Sequence, residues 1–342
     1  MPGMISHYLC GGLCHSRIKN SHLGGVISRH RQVYNLGTQG PDFLFYYIPC
    51  LLRPSWYRLG NVLHSRRVGE FFRSLLEHAL KLEGERRESA LAYICGYLSH
   101  YALDTNAHPY IYYKAGFKTQ GDTRPSLHYS VCHQDFETQI DTAMLKLISN
   151  KRPADKKLWQ LINTNRDQSA GAASVISDSL QRVYGVRMSE RHVRRAMSSM
   201  VVITRVLQSR SGRRKRIISS AEELIMPASG YLSSLIHDQE AGGYDYLNLG
   251  RKQWSLPWEK PCPDASNTRT LAFTDMFRSA VDDSARFITE LDSVLRGASN
   301  LDSFLAKVGN LSFSTGRDCT EKLDFVHHGG LEGLSPKKYS PT

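Results

Sequence analysis

The stretch YLSHYALDTNAHPY, residues 97–110, decides how the chain is read. It sets His100, Asp104 and His108 at successive four-residue steps, and in a helix residues four apart lie on one face, one turn above the other. This is ligand spacing. A histidine and a carboxylate one turn apart can grip one cation, and the next histidine can reach a second cation close by. A single helical histidine is more often a hydrogen-bonded core or surface residue. Two histidines flanking an aspartate amid Tyr, Leu and Ala are harder to dismiss, because a buried carboxylate needs a partner. The stretch predicts a helix that carries a metal site.

Working outward, the segment HYSVCHQDFETQIDTAMLKLI reads as a second long helix beginning near Ser126, with His133, Glu137 and Asp141 again four apart. Two ligand-grade stripes on independent helices strengthen each other. Upstream, GTQGPD is a turn, since two glycines and a proline break a helix, and it presents Asp42 before the apolar run FLFYYIP. Asp42 there is either an N-cap or a ligand held on a rigid turn. His64 precedes a helix whose apolar positions are Val68, Phe71, Phe72, Leu75, Leu76 and Leu80. The helix bearing the opening stripe starts near Glu85 and is expected to stop at Pro109, where the hydrogen-bond ladder is interrupted. Residues 1 to about 35 read as one or two short helices containing His7, His15, His22 and His30.

Helical patterns recur at Leu158–Ile162, Ala170–Tyr184, Arg191–Leu207 and Phe273–Leu295, and no useful period-two alternation or internal repeat appears. The expected architecture is all-α, a multi-helix domain spanning residues 1–342. Within it, 1–150 carry the metal site, 151–311 are supporting helices and 312–342 form a flexible tail. Tyr93, Tyr97 and Tyr101 are assigned mainly to core packing, with bonds to groups behind the ligands as the alternative.

The 342 residues are 41% apolar and 22% charged, ordinary globular usage. No run is long enough to cross a bilayer, and no basic region followed by an apolar stretch opens the chain, so a cytoplasmic or membrane-peripheral location is expected. Seven scattered cysteines argue for a reducing compartment; Cys10 and Cys14 have no second pair at finger spacing and read as buried thiols. The net charge of +12 favours anionic partners: phospholipid surfaces, nucleic acid or phosphorylated small molecules. Eleven basic residues and one acid, Glu190, lie between Arg182 and Arg216; such a run is usually a solvated helix face and a mobile loop.

In order, His7, the GPD of Asp42, His64, the HxxxDxxxH from His100 and the HxxxE from His133 resemble the bacterial zinc-dependent phospholipase C family. That family shares its all-α fold and three-zinc site with the single-strand-specific fungal nucleases. The likeness is strongest from about Met1 to Asp141, and GPDFLFYY, GYLSHYALDTNAHPYIYY and HQDFETQID look like its leaderless clostridial-type members. The resemblance implies two or three zinc ions. Asp42, His64, His100 and Asp104 match the ligands of one, Asp104 also matches a carboxylate bridging to a second zinc near His7, and His108, His133 and Glu137 match the third set. Secreted relatives complete the His7 set with an N-terminal tryptophan amine, whereas this chain begins Met-Pro, so either Pro2, His15 or His22 substitutes or that zinc is under-ligated and weakly held. Phe43 fills the place of an aromatic headgroup contact, while Asn61 is not aromatic where choline-selective relatives are.

The expected function is zinc-dependent hydrolysis of a phosphodiester, foremost phospholipase C-like cleavage of a phospholipid headgroup by a zinc-activated water, with Asp42 orienting or deprotonating that water. A single-strand nuclease of the same fold is the alternative enzyme. From another class, a non-catalytic zinc-containing module would use the Arg182–Arg216 face to contact membranes or nucleic acid.

Overall fold

Every residue from Ser89 to Asp104 is buried in the computed structural model. A helix apolar on all sides must be covered on all sides, and the other helices are arranged to do so. The structure describes residues 3–54, 56, 58–208, 213–225, 230–260 and 262–329. In chain order its helices are α1 Met4–Ile18, α2 His22–Arg29, α3 Arg31–Gly37, α4 Pro49–Leu52, α5 Leu59–Ser65, α6 Val68–Ala79 and the central α7 Gly84–Ala115. They continue as α8 Ser126–Ser149, α9 Leu158–Leu161, α10 Ala170–Tyr184, α11 Glu190–Leu207, α12 Arg213–Ile225, α13 Tyr231–Ser234, α14 Phe273–Leu295 and α15 Leu301–Val308. Among the described residues the only β-type pairings are two isolated bridges, Trp254 with Arg269 and Leu311 with Asp318. The fold is all-α, and no described helix is long and apolar enough to cross a membrane.

Helices α1, α3, α10 and α14 pack against α7. From α14 come Phe273, Phe277, Ala280, Val281, Phe287, Ile288 and Leu291, a stripe at three- and four-residue steps that fills one side of the core. From α6 come Phe71, Phe72, Leu75 and Leu76, as the sequence spacing predicts. Helix α3 approaches α7 so closely that a methyl group on Gly96 would run into the Tyr34 carbonyl and one on Gly37 into the Tyr93 carbonyl. This contact places the turn after α3, and hence Asp42, over His100.

Three local expectations are corrected. Helix α7 does not stop at Pro109 but continues to Ala115 with the proline inside it. The ring removes the donor for the Thr105 carbonyl, a loss a long helix held by tertiary packing can absorb. Residues 312–329 do not fray: Phe313 is fully buried, and Val326 and His327 donate backbone bonds to Pro257 while Gly329 donates to Tyr113. The rest of the expected tail, 330–342, lies outside the described residues.

The basic segment is partly structural, and its residues 209–212 also lie outside the described residues. Lys215 is buried, with Nζ 2.7 Å from Asp238 and 3.4 Å from Asp135. Arg194 pairs with Glu190, and the Arg205 guanidinium lies over the Trp159 ring. The cysteines among the described residues are free, and Cys10 and Cys14 are buried thiols whose pKa burial pushes up to about 11 and about 12.

Gly96→Ala should therefore destabilise the chain by about 1–3 kcal/mol, the usual cost of overpacking. Chemical denaturation with unchanged m-value checks it; an unaltered midpoint would contradict the close α3–α7 approach.

Candidate metal centre

The site is built from five elements. Helix α1 brings His7, the turn after α3 brings Asp42, α5 brings His64, and α7 brings His100, Asp104 and His108. A fifth, α8, brings His133 and Glu137. Their donor atoms converge. Asp104 Oδ2 lies 3.1 Å from His100 Nε2 and 3.9 Å from His64 Nε2, while its Oδ1 lies 3.2 Å from His7 Nε2 and 3.6 Å from His108 Nδ1. Asp42 Oδ1 is 3.2 Å from His64 Nε2 and 3.6 Å from His100 Nε2. On the far side Glu137 Oε1 is 2.8 Å from His133 Nε2 and 3.7 Å from His108 Nε2.

Three groups at this centre have donor atoms within 4.8 Å of one another: His7 with Asp42 and His100, His64 with His100 and Asp104, and His108 with His133 and Glu137. The two oxygens of Asp104 thus face different partners, an arrangement suited to a carboxylate shared between two cations.

The rings are oriented by backbone carbonyls. His64 Nδ1 is 2.7 Å from Gly60 O, His100 Nδ1 is 3.2 Å from Thr38 O, and His108 Nδ1 is 2.9 Å from Phe313 O. Donation from Nδ1 fixes the tautomer and leaves each Nε2 lone pair pointing inward. Against this, both ring nitrogens of His7, Oδ1 of Asp42, Nε2 of His64 and His100, and both oxygens of Asp104 are buried without a hydrogen-bond partner. Buried polar atoms are rarely left so, and unpaired imidazole nitrogens facing carboxylates are the donor set zinc prefers. The residues fit the ion.

The electrostatics agree. Burial holds His7 below the ordinary histidine range and His108 and His133 well below it, so these rings are neutral and ligand-competent. Burial alone would raise Asp104, yet His100, His108 and His7 around it hold its carboxyl well below the usual range. Burial pushes Glu137 well above that range. For His100 the lowering effect of burial is outweighed by the carboxylates of Asp104 and Asp42, which hold it above the histidine norm.

Other sequence candidates fall elsewhere. Asp141 shares the face of His133 and Glu137 but accepts from the Ile5 and Ser6 backbone N–H groups at 2.8 Å each, the Ser6 hydroxyl at 2.6 Å and His237 Nε2 at 2.8 Å. It anchors the start of α1, one turn before His7. His15 bonds Gly24 O and Ser28 Oγ, and His22 lies 3.4 Å from Asp292, so neither joins the cluster. Pro2 lies outside the described residues. Phe43, the expected headgroup contact, is 1% exposed within the core; Phe45, two residues on, is 39% exposed with its ring 5.7 Å from His64. Tyr93 and Tyr101 bond the carbonyls of Gly40 and Val308, and Tyr97 packs on His100 and Phe313. Sequence reading missed Phe313 and His237, which carry no local signal because their partners are distant in the chain.

A buried cluster of imidazoles and carboxylates on an all-α scaffold fits a metal centre. The model of the family described as zinc dependent phospholipase C matches residues 17–184, and the chain belongs to that family. The matched segment holds every donor of the cluster except His7. No curated protein and no solved structure matches the chain.

Zinc binding should displace protons from Glu137 and His100, which hold them above their ordinary ranges. Apparent affinity should then rise as pH increases through and above the ordinary histidine range, and calorimetry in buffers of different ionisation enthalpy should show proton release. Binding that does not vary with pH would contradict it. Asp141→Ala should cost about 3 kcal/mol or more, since each hydrogen bond to a charged group contributes about 1.5–3 kcal/mol. It should also lower zinc content through His7, read by denaturation and metal analysis.

Proposed function

We propose that this zinc-dependent phospholipase C family member hydrolyses the headgroup phosphodiester of a phospholipid, with zinc held by His7, Asp42, His64, His100, Asp104, His108, His133 and Glu137. The observation that carries the reading is the convergence of buried donors that lack hydrogen-bond partners at Asp42, His64, His100 and Asp104. Bound zinc supplies Lewis acidity toward phosphate oxygens and a water of lowered pKa. The protein's own residues do the rest. Asp42 sits on the Gly40–Pro41 turn, its Oδ1 aimed between His64 and His100, where it can orient a water and accept its proton. Asp104, His100 and Glu137 would hold the ions in fixed positions, so that negative charge developing on the phosphate would meet a preorganised positive centre.

Lipid is favoured over nucleic acid by the residues on the C-terminal side of Asp42. Phe45, Ile48 and Leu52 are 39%, 63% and 76% exposed, at three- and four-residue steps. An exposed apolar stripe beside the site suits an acyl-chain surface, whereas base recognition calls for a series of aromatic platforms and a basic groove.

Purified protein should contain two or three zinc ions per chain, and a chelator should abolish phospholipid cleavage. His100→Ala, Asp104→Ala and Glu137→Ala should lose metal, whereas Arg213→Ala and Arg216→Ala should keep it. Asp42→Asn should lower kcat about 10²–10⁴-fold. Full activity in metal-free protein would sink the proposal, and turnover of single-stranded nucleic acid without turnover of vesicles would transfer it to the nuclease alternative.

A further inference from the structure

The segment after α15 lies outside the family-matched residues, yet it closes the metal centre. Phe313 donates its backbone N–H to His64 O at 2.8 Å and accepts from His108 Nδ1 at 2.9 Å. Its fully buried ring meets His64 edge-on at 4.8 Å and lies 5.7 Å from His100. One residue thus joins His64, in the last turn of α5, to His108, the second histidine of α7.

The turn that presents Phe313 is built for this. Ser312 N–H donates to Arg317 O at 2.7 Å, Gly316 N–H to Ser312 O at 2.8 Å and Cys319 N–H to Asn310 O at 2.8 Å. Tyr101 staples it to α7, donating to Val308 O at 2.8 Å and accepting from Leu311 N–H at 3.1 Å. Gly316, at φ +64°, lies against the Thr105 carbonyl, where a methyl group would collide. That carbonyl is the one Pro109 leaves without a helical donor, so the interruption in α7 is covered by the turn.

His108 Nδ1 has two acceptors within reach, Phe313 O at 2.9 Å and Asp104 Oδ1 at 3.6 Å. With Phe313 in place the Nδ1 proton goes to the carbonyl, Asp104 Oδ1 stays open and Nε2 faces Glu137. Without it the same proton turns to Asp104 and occupies an oxygen the cluster needs. We propose that the Asn310–Cys319 turn is a positioning element of the metal centre, in which the Phe313 backbone sets the nitrogen that His108 presents and ties it to His64. This rests on the proposed metal binding.

The test is a zinc titration against a chromophoric chelator, beside thermal melting of the zinc-free protein. Gly316→Val forces the turn off Thr105 and should weaken zinc about 10–100-fold at the equivalent that His108 serves, the usual loss when a partner behind a ligand is removed. Phe313→Ala keeps the backbone bonds and should stay within about 3-fold of the unsubstituted protein on the same scale. Asp324→Ala, in the same segment beyond the turn, should leave every equivalent unchanged. If Gly316→Val does not fold, Tyr101→Phe, which removes the hydroxyl used by Val308 and Leu311, poses the same question. A lower melting temperature with undiminished zinc affinity would show a merely structural turn and overturn the proposal. So would an equal loss of zinc in Phe313→Ala, because the ring would then be the anchor. Zinc binding is read without substrate, so a protein that binds zinc and cleaves no lipid defeats the proposed function alone, and an unsubstituted protein that binds no zinc defeats both.

Discussion

A carboxylate at the centre of a wholly buried helix is the constraint on which the structure turns. Asp104 is fully buried, in a stretch where α7 meets no solvent on any side. An ionised group placed so is tolerated only with compensating charge, and removing one partner of such a set costs about 3–5 kcal/mol. His100, held above the histidine norm by the carboxylates beside it, supplies that compensation first, with His108 and His7 as further polar partners, and together they hold Asp104 well below the ordinary carboxylate range against the effect of burial. The close α3–α7 crossing, the Asp42 turn and the anchoring of α1 can all be understood as ways of bringing partners to this one position.

Partners must also be aimed. Three of the imidazoles spend Nδ1 on a backbone carbonyl, and these carbonyls come from α5, the end of α3 and the turn after α15. Backbone oxygens inside packed elements move little, so the inward direction of each Nε2 is inherited from the scaffold. Asp141 works in the same way on α1. By gathering the Ile5 and Ser6 N–H groups it satisfies donors a helix start leaves open and fixes the register of His7, the next turn along.

How much of this is legible in the sequence depends on what four-residue spacing can say. Spacing reports which residues share a helix face, and it finds His100, Asp104, His108, His133 and Glu137 without any tertiary knowledge. It cannot report what that face meets, so Asp141, on the same stripe, has the look of a ligand and is an anchor for α1. Phe43 and Phe45 show the same limit at a turn: both come after Asp42, but the 3₁₀ turn at Asp42–Leu44 sends the first into the core and the second to the rim. At Pro109 tertiary packing overrides a sound local rule. The composition of the tail, rich in Gly, Ser and Lys, points to disorder, whereas the order at its start comes from contacts with residues two hundred positions earlier, such as Tyr101 with Leu311 and His64 with Phe313. A pattern within one segment carries no trace of a partner that far away.

The depth of the cluster bears on what can reach it. Asp42 and His64 are 5% and 6% exposed and the α7 donors are more deeply covered still, while the His133 side chain on α8 is 15% exposed, so the centre is open on the His133 side and on the Asp42–His64 side. Phe45 stands beside His64 on that side and begins the run through Ile48 to Leu52. A long polyanion would have to bring several phosphates past this apolar rim for the sake of one. A lipid headgroup carries a single phosphodiester at the end of an apolar body, and the body can stay against the rim while the phosphate enters. Depth and rim together favour a substrate whose charge is concentrated at one end.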